Sequence, residues 1–518
     1  MVFDCYILPN IFIIYKLHVL RCMRILIITG KKSERIVKEI VEECAKDYAD
    51  VLVCNRNIAA FITPTILKKT LKEQDIDLKL YGLILIPGLI TADFTKLEDE
   101  IKVPIRLGPK NAYDLRYILP EANKIKFSSK IPACELLSHL KVENAKKDVI
   151  RLEKDADYLF KLKGLKLGKS SRMKVLSEIV DADKYDTDDL VQKIKYYLSE
   201  GTDMIDLGIS LDADIDDVEK ILDTISGFKV PFSIDTSIPE FLVLGSNKAD
   251  MLLSANKDVL DRIGKKLADT DSAVVIIPDD DKLDDNIDLA KSIGIKKIIA
   301  DPVLDPINMG LFKSLIRYRE INLRYKEIPL FFGIGNVSEL IDTDSTGANA
   351  ILAGIGAELG VSILFTPEYS RKCFGSIYEL KKISEMMFLA KNRKMPPKDL
   401  GIDLILFKEK RIREFIADIS DNIIIAKENK TWHIDPLGGF SIRLKDGKIY
   451  ATHKDATIVG KTAKSVLDTI ISEKMVSLKE HVAYLGRELM KAEICLKMCR
   501  SYIQDEEFRY VYPFLNEV

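Results

Sequence analysis

Residues 203–210 read Asp-Met-Ile-Asp-Leu-Gly-Ile-Ser, a short apolar run that carries a carboxylate at its centre and lies between two amphipathic stretches. The same unit, a buried strand followed by polar residues and a helix, recurs eight times between Arg172 and Lys391. The eight strand segments are 173–182, 203–210, 231–237, 249–256, 273–279, 296–303, 329–336 and 361–368. Eight βα units in about 220 residues match the usual size of a TIM barrel. The sequence therefore predicts an α/β protein with a central TIM (β/α)8 barrel over residues 172–396.

Polar side chains stand at the end of almost every predicted strand, where a TIM barrel builds its active site. They are Glu178 and Asp181, Asp206, Asp235, Ser254 and Asn256, Asp279, Asp301, and Asn336, in strand order. An ionised carboxylate only accepts hydrogen bonds, so such a rim suits a ligand edge with several N–H donors. The amino-pyrimidinone edge of a pterin is one example. For any single aspartate, a cap on the following helix is an equally good interpretation.

The order and spacing of these strands resemble the pterin-binding barrel family, which contains dihydropteroate synthase and the methyltetrahydrofolate:corrinoid methyltransferases. The resemblance is carried by EGTDMIDLGIS at 200–210, PFSIDTS at 231–237, IIADPVLDP at 298–306 and GIGNVSEL at 333–340. With a domain on either side of the barrel, the chain looks most like the archaeal-type proteins related to dihydropteroate synthase. This resemblance implies a pterin-binding barrel.

The resemblance also implies roles for single residues. In that family, the aspartates that match Asp235 and Asp301 bind the pterin ring, and Asp206 joins the same expected set. The family's asparagine after strand four is replaced here by Ser254 or by Asn256, two candidates that stay open. Asn336 matches the asparagine of the methyltransferases' GLSN motif, which is linked to activating the methylated nitrogen.

The synthase pattern is kept less well. Loops after strands two and seven lack the arginine and lysine that synthases use for the diphosphate leaving group and the arylamine, and departure of that group needs cationic or metal stabilisation. Arg371 and Lys372, after strand eight, are the candidates to replace them. The resemblance implies a reduced pterin as substrate or ligand, with an arylamine as co-substrate, and leaves open whether Mg²⁺ assists.

Three functions follow from the resemblance. The first is a dihydropteroate synthase-like transferase in folate or tetrahydromethanopterin cofactor metabolism. The second is transfer of a methyl group from a methylated pterin to a corrinoid or protein partner. The third is a scaffold that binds pterin without turning it over.

The segment 23–140 alternates short apolar runs with amphipathic stretches, which predicts a doubly wound α/β domain. Its first strand ends in Thr29-Gly30-Lys31-Lys32-Ser33. This turn could offer backbone amides to an anion at a helix N-terminus. It lacks the glycine spacing of a dinucleotide fingerprint, and an ordinary strand-to-helix turn with Ser33 near the cap is the simpler interpretation.

Three other segments complete the predicted organisation. Residues 1–22 are interpreted as an N-terminal extension, because a start at Met23 would open directly on a strand. Residues 141–171 are charge-rich and predict a helical linker, and residues 397–518 predict an α+β domain with a hairpin turn at 445–448. In the last predicted helix, His481, Tyr484, Arg487 and Glu488 form a polar stripe, which is expected to be a solvated or interface face.

Composition limits the partners and the compartment. The 78 basic and 80 acidic residues nearly cancel, which argues against a nucleic-acid-binding surface. Eight dispersed cysteines without paired spacing indicate reduced thiols in the cytoplasm and no metal site. The apolar stretch at 6–20 is too short and too interrupted to cross a membrane. A small molecule is the expected partner, and a homodimer is compatible with the sequence.

Overall fold

The computed structural model describes residues 24–280, 282–406, 424–427 and 433–506. The expected extension at 1–22 lies outside the described residues. The described chain forms two compact units. The first unit consists of the described residues up to Glu368 together with Gly375–Leu406. The second unit consists of Tyr369–Phe374 together with the described residues after 406.

The N-terminal domain is built on a four-stranded parallel sheet, as the alternating pattern predicted. Its strands are β1 (Arg24–Gly30), β2 (Ala49–Cys54), β3 (Tyr81–Ile86) and β4 (Ile105–Leu107). They lie in the order β2-β1-β3-β4, with every neighbouring pair parallel. The connection after β1 leads to β2 on one side of β1, and the later strands β3 and β4 lie on the other side. This reversal creates a switch point between β1 and β3.

Helices cover both faces of this sheet. They are α1 (Glu34–Cys44), α2 (Pro64–Glu73), α3 (Thr95–Ile101), α4 (Leu115–Ile118) and α5 (Ala133–Leu136). Ile25 and Ile27 pack with α1 and α4 on one face, whereas Leu26 and Ile28 pack with α2 and α3 on the other. Because side chains of a strand alternate between its faces, the unbroken apolar run of β1 fills both cores.

The barrel contains all eight predicted strands. They are β7 (Lys174–Ile179), β8 (Met204–Gly208), β9 (Phe232–Asp235), β10 (Met251–Ala255), β11 (Ala273–Ile276), β12 (Ile298–Ala300), β13 (Phe331–Gly333) and β14 (Ile363–Thr366). The eight strands form one parallel sheet in the order β12-β11-β10-β9-β8-β7-β14-β13. Its two ends meet where the Ala300 amide donates to the Pro329 carbonyl at 3.0 Å. The sheet is thus a nearly closed barrel.

Helices surround the barrel in the expected alternation. They are α7 (Thr187–Glu200), α8 (Ile215–Ser226), α9 (Pro239–Gly245), α10 (Lys257–Ala268), α11 (Leu283–Ile293), α12 (Leu311–Arg324), the single turn α13 (Gly335–Ser338), α14 (Ser345–Leu359) and α15 (Ser376–Arg393). Their buried faces and the outward side chains of the strands form the largest core of the chain. The predicted α/β class with a TIM barrel is confirmed.

A hairpin packs into the amino-terminal end of the barrel. Helix α6 (Ser138–Asp155) is followed by β5 (Phe160–Leu162) and β6 (Leu165–Leu167), which pair antiparallel. Leu162 and Leu167 are buried against the inward side chains of the lower strands. The segment expected as a helical linker is therefore helical only as far as Asp155, because the apolar residues at 160–167 pair with each other and cover the barrel core.

A buried ion-pair cluster joins the lower ends of the first two barrel strands to α15. The Arg172 guanidinium donates to both carboxylate oxygens of Asp203, at 2.6 and 2.9 Å, and Lys381 donates to the same carboxylate at 2.8 Å. The side chains of Arg172 and Asp203 are only 8% and 7% exposed. Although burial opposes ionisation, the two cations lower the pKa of Asp203.

The second unit contains a three-stranded antiparallel sheet of β15 (Ser441–Lys445), β16 (Lys448–Thr452) and β17 (Thr457–Gly460). Asp446 and Gly447, at φ 48° and 68°, form the predicted hairpin turn. Helices α16 (Ala463–Ser472) and α17 (Lys479–Lys497) pack on one face of the sheet. Short strands are also expected from the apolar stretches at 402–408 and 421–428, but the described parts of these stretches, 402–406 and 424–427, form no strand. The remaining residues of both stretches lie outside the described residues.

The polar stripe of α17 is not a solvated face. His481 and Glu488 are buried, and Glu488 accepts a hydrogen bond from Tyr502 at 2.8 Å. Asp435 lies 3.3 Å from the His481 ring and also accepts bonds from the amides of Ser477 and Leu478. The solvated interpretation is therefore wrong for these two side chains, because both are buried within the unit, whereas Arg487 is exposed.

The helices of the described ranges include none that is both long enough and apolar enough to cross a membrane.

Replacement of Asp203 by Ala should lower the free energy of unfolding by about 3–5 kcal/mol, since Arg172 would stay buried without its partner. Chemical denaturation of the full chain measures this. The matched control is Asp223→Ala, because Asp223 pairs with Lys248 at an exposed position and such pairs contribute less than about 1 kcal/mol. Equal losses in the two variants would contradict the assignment of Asp203 as a structural clamp.

Candidate ligand site in the barrel

The inward face of the barrel changes from apolar to acidic along each strand. Met204 belongs to the apolar layer above the hairpin, and Asp206 stands two residues later on the same strand. The same two-residue step leads from Leu176 to Glu178 and from Ile299 to Asp301. Because side chains two apart on a strand share a face, these carboxyl groups point into the upper part of the barrel.

Strand register places Glu178, Asp206 and Ser233 side by side on three neighbouring strands. Two residues further on, Gly208 is the register partner of Asp235. A Cβ atom at Gly208 would lie 2.6 Å from the Glu178 carboxylate oxygen. The glycine therefore leaves the space that the Glu178 side chain occupies beside Asp235.

Asp206 is the most deeply buried member of this cluster. Its exposed fraction is 0%, and one of its oxygens accepts a hydrogen bond from the Ser233 hydroxyl. The other oxygen, Oδ2, has no hydrogen-bond partner in the described part of the chain. Burial, followed by the charges of Asp235 and Glu178, raises the pKa of Asp206 well above its usual value. The burial of Asp206 and its two acidic neighbours therefore favour the protonated form of its carboxyl group.

The other carboxyl groups are shifted in the same direction. Burial together with the charges of Asp235 and Asp181 raises the pKa of Glu178 to about 7. Burial, with a smaller contribution from Asp235, raises the pKa of Asp301 to about 6. Lysine and arginine form no ion pair with Glu178, Asp206 or Asp235 within the described ranges. At neutral pH the cluster therefore contains both hydrogen-bond donors and acceptors.

Ser254 reaches the cluster through a break in its strand. The register between β10 and β11 shifts between Leu252 and Ala255, and Ser254 has a φ of 62°, in the left-handed region. Such a bulge redirects one side chain. Burial raises the pKa of Asp235, and the Ser254 hydroxyl brought near it opposes that shift.

Asn256 does not belong to this cluster, because its polar atoms are used elsewhere. Its oxygen caps α10 by accepting a bond from the Val259 amide at 3.1 Å, and its nitrogen donates to Asp279 at 3.3 Å. Asp279 also accepts bonds from the Lys257 amide and from Asn286, both at 2.8 Å. The contacts of Asn256 and Asp279 are therefore those of residues that cap the start of α10, as the capping interpretation predicts.

Asp301 is held firmly in place. Its Oδ1 accepts hydrogen bonds from the Tyr318 hydroxyl and from the Val303 amide, both at 2.8 Å. Val303 has a φ of 62°, which is an outlier for a β-branched residue. Arg317 of α12 donates to the Val303 carbonyl at 2.8 Å and to Asp305 at 2.9 Å. The strained turn is thus stabilised from α12, which fixes the direction of the Asp301 carboxyl group.

Asn336 lies at the rim of the barrel in the single turn α13. Its side chain is exposed and passes over Gly333, where a Cβ would lie 3.1 Å from its nitrogen. That nitrogen donates to the Leu304 carbonyl at 3.1 Å. Asn336 is therefore positioned by the loop that follows Asp301.

The two candidate cations after strand eight lie in a different part of the structure. Arg371 is exposed and Lys372 is half-buried, in a short helical turn over Arg371–Cys373. This turn belongs to the segment Tyr369–Phe374 of the second unit. The carboxyl cluster is confined to the first unit, so the roles of Arg371 and Lys372 stay predictions.

Glu178 is the cluster member whose importance the sequence did not single out. It was one of several polar residues at strand ends, with nothing to separate it from Asp181. Two features of the sequence point to it in retrospect. Its position two residues after Leu176 places it inward, and Gly208 on the neighbouring strand leaves room for it.

The site is built for a ligand with polar hydrogen-bonding edges. In the described ranges, no group of three histidine, cysteine, aspartate or glutamate side chains is arranged to hold a metal ion. Glu178, with its pKa of about 7, can donate a hydrogen bond when protonated, as can Asp206, while Asp235 and Asp301 can accept hydrogen bonds. A flat heterocycle with alternating donors and acceptors fits this chemistry.

Comparison with known proteins identifies the family to which the chain belongs. The chain is 38% identical over 519 residues to the protein named "Uncharacterized protein MJ0107" from Methanocaldococcus jannaschii, with 93% of this chain and 98% of that protein covered. The family model described as PterinBD-DUF4346 matches residues 434–505. The chain belongs to the family of the M. jannaschii protein. The residues that match the PterinBD-DUF4346 model follow the barrel strands in the chain.

Solved structures similar to this chain include dihydropteroate synthases. The enzyme of Yersinia pestis, solved with a pterine-sulfa conjugate, is 18% identical, with a TM-score of 0.37 and coverage of 45% of this chain and 99% of that one. The enzyme of Vibrio fischeri is 19% identical, with a TM-score of 0.36 and coverage of 43% and 95%.

Replacement of Glu178 by Gln should stabilise the protein at high pH. A raised pKa means that the folded state holds a proton between about pH 4.5 and 7 that the unfolded state releases, so this group's stabilisation is lost as pH rises through about 7. We expect Glu178→Gln to raise the free energy of unfolding by about 1–3 kcal/mol at pH 8 and to change it little at pH 4.

Urea denaturation of the full chain at the two pH values measures this effect. The matched control is Glu219→Gln, since Glu219 is exposed on α8 and should change stability little at either pH. A gain that is the same at pH 4 and pH 8 would contradict the pKa assigned to Glu178.

Proposed function

We propose that the barrel binds a reduced pterin in the carboxyl cluster and that the chain is a dihydropteroate synthase-like transferase of folate or tetrahydromethanopterin metabolism. The observation that carries the proposal is the buried Asp206 oxygen without a partner, beside Asp235 and Asp301 on the inward face. A buried polar oxygen without a hydrogen-bond partner is costly, and a bound heterocycle would supply that partner. The description of the PterinBD-DUF4346 family supports the same ligand.

The chemistry of the cluster suits a pterin better than an anion. In this proposal Asp235 and Asp301 accept hydrogen bonds from the amino-pyrimidinone edge, and Ser254 orients Asp235. When protonated, Asp206 and Glu178 donate to ring nitrogen or carbonyl atoms. A phosphate placed among these groups would be repelled, so the ring enters the barrel and the substituent of the pterin stays at the rim.

The transfer itself forms a bond between the arylamine nitrogen and the methylene carbon of the pterin, while the carbon–oxygen bond to diphosphate breaks. The diphosphate leaves with the electron pair, and the nitrogen loses a proton to solvent. Arg371 and Lys372 are the proposed partners of the departing charge, because cationic groups lower the barrier to such a departure. Participation of Mg²⁺ belongs to the same proposal.

One observation favours a second function. Asn336 is exposed at the rim, and its side-chain nitrogen donates to the Leu304 carbonyl. This bond fixes the orientation of the side-chain amide and therefore of its oxygen. In methyl transfer from a methylated pterin to a corrinoid or protein partner, this side chain would contact the reacting nitrogen. A scaffold that binds pterin without chemistry is the remaining outcome.

Pterin binding is tested by calorimetric titration of the full chain with a reduced pterin. Asp235→Asn and Asp301→Asn should each weaken binding by about 1.5–3 kcal/mol, the scale of a hydrogen bond to a charged group. The matched control is Asp279→Asn, a strand-end aspartate that accepts bonds from the first amide of α10 and from Asn286 and should leave the affinity unchanged. Unchanged affinity in both cluster variants would overturn the pterin assignment.

The reaction is tested by diphosphate release from a hydroxymethyl-dihydropterin diphosphate and an arylamine. Arg371→Ala should abolish release while reduced pterin still binds, and Lys398→Ala, an exposed cation outside the predicted set, should not change the rate. Methyl transfer from a methylated pterin, lost in Asn336→Ala, would instead establish the second function. Binding without either reaction would identify a scaffold.

A further inference from the structure

Two neighbouring helices on the outside of the barrel, α12 and α14, present large apolar side chains to solvent. On α12, Phe312, Ile316 and Leu323 share one face of the helix, because they are spaced by about one and two turns. Phe312 is 78% exposed and Leu323 is 58% exposed, and Met309 in the turn before α12 is exposed as well. Contiguous exposed apolar surface is unusual in a monomeric protein and is typical of an interaction site.

Helix α14 is poor in charge for a helix on the outside of a barrel. Its fifteen residues, at 345–359, include one charged side chain, Glu358. The twelve residues of α10, another helix of the same barrel, include six. A surface helix normally presents a charged face to water, yet Ile351 on the outer face of α14 is 68% exposed. The composition of α14 therefore indicates a helix that is covered when the protein functions.

The charged residues on the exposed face of α12 are self-complementary. Arg319 lies between Ile316 and Leu323 on this face, and Glu320 stands beside it. Both charged side chains are exposed, and neither forms an ion pair within the described ranges of the chain. When an identical surface is turned by 180°, an adjoining arginine and glutamate can pair with the glutamate and arginine of that surface. Charge complementarity therefore favours a second copy of this chain over a partner with charge of one sign.

We propose that α12 and α14 form the interface of a homodimer with two-fold symmetry. Antiparallel packing of α12 on its copy, centred at the level of Tyr318, would bring Phe312 against Leu323 of the second copy at both ends of the contact. Arg319 of each copy would reach Glu320 of the other. The outer face of α14 would be covered by the same contact. This arrangement does not depend on which ligand the barrel binds.

The proposed interface lies directly behind the candidate ligand site. On its inner side, α12 carries Arg317 and Tyr318, which donate hydrogen bonds to the Val303 carbonyl and to the Asp301 carboxylate. A second copy packed on the outer side of α12 would hold this helix in place. Dimer formation would therefore support the turn that fixes the direction of Asp301.

Sedimentation equilibrium of the full chain tests the proposal. We expect a species with twice the 58.6 kDa mass of one chain. The apolar contact should give a dissociation constant below about 10 μM. A chain that stays monomeric up to about 100 μM would overturn the proposal and would leave this face to a different partner.

A charged substitution on α14 locates the interface. Ile351→Glu should raise the dissociation constant by at least about tenfold, because two-fold symmetry buries the new carboxylate twice. The matched control is Ile150→Glu, since Ile150 is 71% exposed on α6 and lies outside the proposed interface. Circular dichroism verifies that both variants keep the fold. A dimer that survives both Ile351→Glu and Phe312→Glu would be formed by another face, which would refute the interface.

Exchange of charge tests the two-fold arrangement. Arg319→Glu should weaken the dimer by about tenfold, because carboxylates would then face each other across the interface. The double variant Arg319→Glu, Glu320→Arg restores opposite charges between the copies and should recover most of the lost affinity. If the double variant is as weak as the single variant, the two residues do not meet across a two-fold axis and the proposed packing is wrong.

Discussion

Closure of the barrel sheet is the constraint on which the candidate site depends. A closed parallel sheet has an inner face from which water is excluded by packing, and every second side chain of each strand must face it. In the lower half those side chains are apolar and are covered by the hairpin that carries Leu162 and Leu167. In the upper half the same alternation forces Glu178, Asp206 and Asp235 together. Their raised pKa values follow from this enforced burial and from their mutual repulsion.

Buried aspartates at the two ends of the barrel have pKa shifts of opposite direction. At the amino-terminal end, Asp203 is surrounded by Arg172, Lys381 and a backbone amide, and its pKa is lowered. At the carboxyl end, Asp206 has one serine hydroxyl and no cation, and its pKa is raised. Paired buried charges contribute to structure, whereas unpaired buried acids reduce stability and cluster at functional sites. The contrast between Asp203, directly before β8, and Asp206 within it separates a structural aspartate from a candidate binding residue.

Much of this architecture was predictable because it rests on local patterns. The eight strands and the doubly wound N-terminal sheet follow from apolar runs and amphipathic helices, and the inward positions of Asp235 and Asp301 follow from their strand ends. The choice between Ser254 and Asn256 did not follow, because a bulge with a left-handed residue reverses the alternation in β10. The hairpin at 160–167 was not predicted for a related reason. Its sequence is rich in lysine, and its two buried leucines are covered only by barrel strands that lie far along the chain.

Electrostatics also limits how a pterin substrate could be oriented in the barrel. A cluster of carboxyl groups that shares protons can adjust to a neutral heterocycle by shifting those protons, but any anion placed there would add to the repulsion that already raises their pKa values. Under the proposed function, the anionic part of the substrate would therefore remain at the rim, near the turn stabilised by Arg317 and near Asn336. Those two residues are both bonded to the loop after Asp301. The loop that fixes the direction of Asp301 thus also fixes the rim group that a reacting substituent would meet, which couples recognition of the ring to the position of the chemistry.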